Sequence, residues 1–185
     1  IHANSDTLLE NGSYGEGKVT ITGGTITITT KDDGVHADTY LTLSDGTIQI
    51  LTSYEGLEAC TITVSGGNTT ISSTNDGLNA KNGSVASQII ISGGTVDITV
   101  GAGDTDAIDS NGSYSQTGGF VVARCAVSGM MGGPLDTQGA VSVTGGTFIG
   151  IGFSERVAAS AGSNRSTGAF SLSISVLLAV GAMMR

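Results

Sequence analysis

Hydrophobic and polar positions alternate along this chain in short phrases that return at regular intervals. Val19 and Ile21 are followed by Ile26 and Ile28, Leu41 and Leu43 by Ile48 and Ile50, and Ile89 and Ile91 by Val96 and Ile98, mostly with polar residues between them. A period of two marks a strand buried on one face and wet on the other. Each pair of phrases meets at a glycine turn, as in Thr22-Gly23-Gly24-Thr25, Ser65-Gly66-Gly67-Asn68, Ser92-Gly93-Gly94-Thr95 and Thr144-Gly145-Gly146-Thr147. Looser copies stand at Ser44-Asp45-Gly46-Thr47 and Thr117-Gly118-Gly119-Phe120. The second glycines fall at 24, 46, 67, 94, 119 and 146, in steps of 22, 21, 27, 25 and 27 residues. Strand phrases repeating at that interval predict a solenoid, in which each repeat buries its apolar face only by stacking on the next. Repeats running in the same sense cannot form hairpins, so the expected pairing is parallel. Six or seven layers, at about 4.8 Å each, give an all-β rod of about 30 Å with aliphatic side chains inside and Thr/Ser ladders outside.

Between the strand phrases lies a second repeating element. It reads Asp32-Asp33-Gly34-Val35-His36-Ala37-Asp38, then Glu55-Gly56-Leu57-Glu58-Ala59, Asp76-Gly77-Leu78-Asn79-Ala80 and Asp104-Thr105-Asp106-Ala107-Ile108-Asp109, with a weaker copy at Gly133-Pro134-Leu135-Asp136. Alignment places Asp33, Glu55, Asp76 and Asp106 in one column, and His36, Glu58, Asn79, Asp109 and Asp136 in another, with His2 opening the second. Ten of the sixteen acids fall in these turns, so stacking concentrates negative charge on one edge. Two carboxylates about 5 Å apart repel by roughly 3 kcal/mol at an effective dielectric near 20. Calcium, which takes six to eight oxygen ligands, would relieve that repulsion. The expected calcium ligands are Asp32, Asp33, Asp38, Glu55, Glu58, Asp76, Asn79, Asp104, Asp106, Asp109 and Asp136. His36 is a poor calcium ligand and is expected to cap the column through a hydrogen bond. A hydrated acidic ladder, with Asp-Gly chosen for turn shape alone, is the simpler alternative.

Composition narrows the reading. Thirty glycines exceed the usual share of about 7%, while a single proline and 38% hydrophobic residues separate the chain from disordered low-complexity sequences. A net charge of −9 with seven basic residues excludes nucleic acid as a natural partner, since phosphate contacts need Lys and Arg. Cys60 and Cys125 fit no metal spacing and lie about three layers apart, so two buried free thiols are expected. Ile1-His2-Ala3 matches Val35-His36-Ala37, which implies that the sequence begins inside a longer protein. Asn-Gly-Ser recurs at Asn11, Asn82 and Asn111 and reads as a corner, or as a glycosylation acceptor in a secreted eukaryotic protein.

The regular pattern ends near residue 155. Residues 156–185 read as a small, polar linker and an apolar tail. The tail is too short and too interrupted for a membrane span. It is either a capping strand or, given the small residues at 160–163, a removable lipid-anchor signal.

The Gly-Gly-Thr phrases, together with the Asp-Asp-Gly-Val-His-Ala, Tyr-Glu-Gly-Leu-Glu-Ala and Asn-Asp-Gly-Leu-Asn-Ala turns, resemble the carbohydrate-binding domain family of clostridial cellulose-binding proteins. The likeness covers residues 1–155. It implies a right-handed parallel β-helix similar to pectate lyases, calcium in the acidic turns, and binding of plant cell-wall polysaccharide such as cellulose or pectic acid. A secreted or cell-surface monomer would suit that use. The candidate carbohydrate contacts are His36, Lys31, Lys81 and the tyrosines Tyr40 and Tyr54, whose rings can stack on a pyranose. Non-catalytic binding is the preferred reading. The alternatives are a lyase using Lys31 or Lys81 as base, and an adhesin or ice-binding surface built on the Thr ladders. A lysine among carboxylates holds its proton more firmly, which weighs against a base.

Overall fold

The computed structural model describes residues 1–5, 10, 15–126 and 132–152. Among them are fourteen strands and no helix. In chain order they are β1 (His2–Ala3), β2 (Lys18–Thr29), β3 (Val35–Ala37), β4 (Tyr40–Thr52), β5 (Leu57–Ala59), β6 (Thr61–Val64) and β7 (Asn68–Ser73). They continue as β8 (Leu78–Ala80), β9 (Gln88–Ile91), β10 (Thr95–Val100), β11 (Ile108–Ser110), β12 (Ser113–Arg124), β13 (Asp136–Thr137) and β14 (Val141–Ile151). Every pairing between them is parallel. The short strands β1-β3-β5-β8-β11-β13 form one six-stranded sheet, and the longer strands form the rest of the wall. The path is a β-solenoid of about five turns. The apolar tail, Asn11 and the small residues at 160–163 lie outside the described residues.

The alternation in the sequence becomes the core. Val19, Leu41, Ile62, Ile89, Tyr114 and Val141 are successive register partners, and the four central ones are fully buried. A second file runs Ile50, Ile71, Ile98 and Ala123. Fully burying one such aliphatic side chain stabilises the fold by about 1.5–3 kcal/mol. Gln116 enters this interior in line with Val64 and Ile91, as the register Gln116–Ile91–Val64 requires. It is tolerated because it is satisfied: Tyr114 donates its hydroxyl to Oε1 at 2.9 Å, and Nε2 donates to the carbonyls of Gly118 and Thr147.

The glycine pairs turn the corner between the two long faces. The second glycine sits at positive φ, between 74° and 84°, at Gly24, Gly67, Gly94, Gly119 and Gly146, a region that side chains disfavour. Cys60 and Cys125 are free and buried. Each donates its thiol to a backbone carbonyl, of Asp38 and Gly133 respectively. No helix among the described residues is long and apolar enough to cross a membrane.

Candidate functional site

The short-strand sheet builds the site. In each three-residue strand the outer two side chains point inward and the middle one outward, as in Val35-His36-Ala37, Leu57-Glu58-Ala59 and Leu78-Asn79-Ala80. Register pairs His2 with His36, His36 with Glu58, Glu58 with Asn79, Asn79 with Asp109 and Asp109 with Asp136. The second aligned column is therefore one continuous outward file. Asp33, Glu55, Asp76 and Asp106 stack beside it, each preceding an amide that bonds to the carbonyl of the next turn, as Gly34 does to Glu55 and Gly56 to Asp76.

The glycine after the acid has its own cause. Gly34, Gly56 and Gly77 do not take positive φ. A Cβ on Gly34 would instead lie 2.7 Å from the Gly56 carbonyl oxygen and 2.6 Å from Ile50 Cδ1. The Asp-Gly and Glu-Gly pairs thus reflect close approach between turns.

At the N-terminal end the file is neutralised from within. His36 Nδ1 lies 3.0 Å from Asp33 Oδ2 and 3.1 Å from Glu58 Oε1, and Nε2 lies 3.1 Å from Asp38 Oδ1. Lys81 Nζ sits 2.7 Å from Glu58 Oε1 and 3.0 Å from His36 Nε2. The Ser5 amide donates to Asp38 Oδ2 at 2.6 Å, and chiefly for that reason the Asp38 carboxyl is held down to about 2. Glu55 is only 6% exposed. Burial, with Glu58 alongside, pushes its carboxyl well above the usual range, while Asn79 and Asn75 donate to it. Burial also acts to raise Glu58, but the hydrogen bond with Glu55 and the Lys81 ammonium outweigh it and leave the group lowered.

The other end has no such compensation. Among the described residues, Asp76, Asp106, Asp109 and Asp136 form no ion pair. Asp76 Oδ1 accepts the Asp106 amide at 2.7 Å, and Asp106 Oδ1 accepts the Gly133 amide at 2.6 Å. Burial, reinforced by the neighbouring aspartates, raises Asp76, lifts Asp106 to about 7 and lifts Asp109 to about 6. Beside them, Asn79 Oδ1 is buried without a hydrogen-bond partner.

The remaining expected residues are more scattered. Asp32, Lys31 and Asp104 are exposed at the edge of the turns. Tyr54, 52% exposed, immediately precedes Glu55 and stacks through its backbone between Asp32 and Asn75. Tyr40 is half-buried at the start of β4, with Lys18 Nζ 5.1 Å from its ring centroid. Two participants escape a reading of the sequence. Asn75 shares its column with Asp32 and Tyr54, so alignment could have revealed it. Ser5 carries no repeat signal.

A family model described as carbohydrate-binding domain-containing protein, and named after a clostridial protein, matches residues 1–107. That span holds every member of both files from His2 to Asp106 and stops short of Asp109 and Asp136. No curated protein and no solved structure matches the chain.

Proposed function

Because the chain belongs to this carbohydrate-binding domain-containing family, we propose that it binds an extended plant cell-wall polysaccharide, cellulose or pectic acid, without cleaving it. Calcium in the acidic seam is the second part of the reading. What carries it is the set of carboxylates at Asp76, Asp106, Asp109 and Asp136 that no basic side chain among the described residues neutralises.

The donor set fits a hard cation. Carboxylates and an amide carbonyl are the oxygen types calcium takes, and Asn79 Oδ1 is a buried acceptor with nothing to accept from. These five residues would supply its ligands, with the four aspartates drawn closer together than their side chains stand without metal. Bound there, calcium would supply positive charge able to ligate sugar hydroxyls or bridge uronate carboxylates. Tyr54 offers an exposed ring beside the seam for a pyranose face.

Non-catalytic binding is favoured over elimination. A lyase needs a free base placed to take a proton from the substrate, whereas Lys81 is engaged 2.7 Å from the Glu58 carboxylate. We take the coil as right-handed, the sense favoured for crossovers between parallel strands. Residues 1–155 form the binding domain of a secreted or cell-surface monomer in this reading, and residues 156–185 its linker and tail.

Affinity electrophoresis in gels containing cellulose derivatives or polygalacturonate, with calcium or with chelator, tests the proposal. Retention that disappears on chelation is expected. Equal retention under both conditions would remove calcium from the reading, and no retention on either polymer would remove the ligand. A growing ultraviolet absorbance from unsaturated product would replace binding with lyase activity.

A further inference from the structure

The first positions of the seam differ in chemistry from the rest, because two of them are imidazoles. His2 and His36 are register partners on β1 and β3, with ring centroids 4.1 Å apart and planes inclined by 33°. One ligand atom from each, together with a carboxylate oxygen of Asp38, lie within 4.8 Å of one another. We propose that His2, His36 and Asp38 bind a divalent transition ion, zinc foremost, at a site separate from the carboxylates assigned to calcium.

The surroundings are arranged for such an ion. Asp33 Oδ2 stands 3.0 Å from His36 Nδ1, and Lys81 Nζ donates to Nε2 at 3.0 Å. These partners fit the tautomer with its proton on Nδ1 and a lone pair on Nε2. Asp38 Oδ1 then faces that lone pair at 3.1 Å. Two acceptors at this distance need a proton or a metal ion between them; the Lys81 ammonium bonds to Nε2 but makes no ion pair with Asp38, so a metal can take that place. The other Asp38 oxygen is occupied by the Ser5 amide at 2.6 Å and hydroxyl at 3.0 Å, which leaves Oδ1 as the ligand. A ligating histidine whose second nitrogen donates to a carboxylate is the recurrent support for metal-bound imidazole.

Ligand chemistry selects the ion. Two imidazole nitrogens and one carboxylate suit zinc, nickel or copper, whereas magnesium and calcium prefer all-oxygen sets. Three protein ligands leave a tetrahedral zinc one open position, and His2 is exposed to solvent. The neighbouring group Asp33, His36 and Glu58 also converges. It is the weaker candidate, because it would take the Nδ1 proton away from Asp33 and because Lys81 already neutralises Glu58. When metal enters at Nε2, Lys81 can withdraw onto Glu58 alone.

Calorimetric titration of the chelator-treated chain with zinc chloride, in saturating calcium, tests this independently of the calcium reading. One saturable zinc per chain is expected. His2→Ala removes a ligand and should weaken it by more than the roughly ten- to a hundredfold that loss of a ligand's supporting partner costs, and Lys81→Met should strengthen it by removing the competing ammonium. His2 is exposed, and an unchanged circular dichroism spectrum would verify that the variant folds. With copper in place of zinc, electron paramagnetic resonance should show hyperfine coupling to two nitrogens in the native chain and to one in His2→Ala. No saturable zinc uptake, zinc fully displaced by calcium, or a copper spectrum unchanged in His2→Ala would each overturn the proposal.

Discussion

Asp106 serves two opposing ends. Its Oδ1 accepts the Gly133 amide, which ties one turn to the next, yet burial among other aspartates lifts its carboxyl to about 7. The folded chain therefore holds a proton at Asp106 that the unfolded chain has released, and stability falls as pH rises from the ordinary aspartate value towards 7. Asn in its place keeps the acceptor oxygen and discards the charge. Asp106→Asn is expected to raise the melting temperature of the chelated protein at neutral pH by about 2–5 °C, and to change it little near pH 4. Differential scanning calorimetry at both pH values checks this. On the proposed calcium reading, added calcium should raise the melting temperature of the native chain more than that of the variant.

The three-residue strands explain how much of the fold could be read in advance. Each has an outward middle residue between two inward ones, and the phrase recurs with its glycine, so aligning the text aligns the side chains. Both acidic files and the interior aliphatic files followed from that repetition. The Lys81 contacts did not, since His36 lies 45 residues away and the link depends on how a long side chain folds back. Nor did the Ser5–Asp38 bond, which joins a non-repeating segment to a repeating one. The glycine after Asp33, Glu55 and Asp76 was legible as a position, but its reason was not. An Asp-Gly pair suits many turns, and only the stacked carbonyl shows that a methyl group has no room. Gly34→Ala is accordingly expected to destabilise the solenoid by about 1–3 kcal/mol through overpacking against Gly56 and Ile50. Denaturant unfolding would measure it, and a cost no larger than that of an exposed substitution would count against the contact.

Taken together, the titrating groups give the molecule an asymmetric response to pH. Asp76, Asp106, Asp109 and Glu55 are all raised, so the metal-free chain loses stability as pH climbs from about 4 to about 7. Asp38 is lowered to about 2 and works the other way: its contribution is present above the ordinary aspartate value and is lost as pH falls from about 4 towards 2. Thermal melts in chelator across this range should peak at about pH 4 to 5, and calcium should lift chiefly the neutral side. A chelated protein that grows more stable between pH 5 and pH 7 would contradict the picture. The in-step stacking of the short strands also means that the molecule can be lengthened. Splicing in a second copy of one 21-residue step, from after Gly46 through Gly67, would add a rung, extend each outward file by one place and stretch the ligand's footprint by about 4.8 Å. The chain is in that sense a ruler whose graduations can be multiplied, and the polymer length it grips would grow in the same increments.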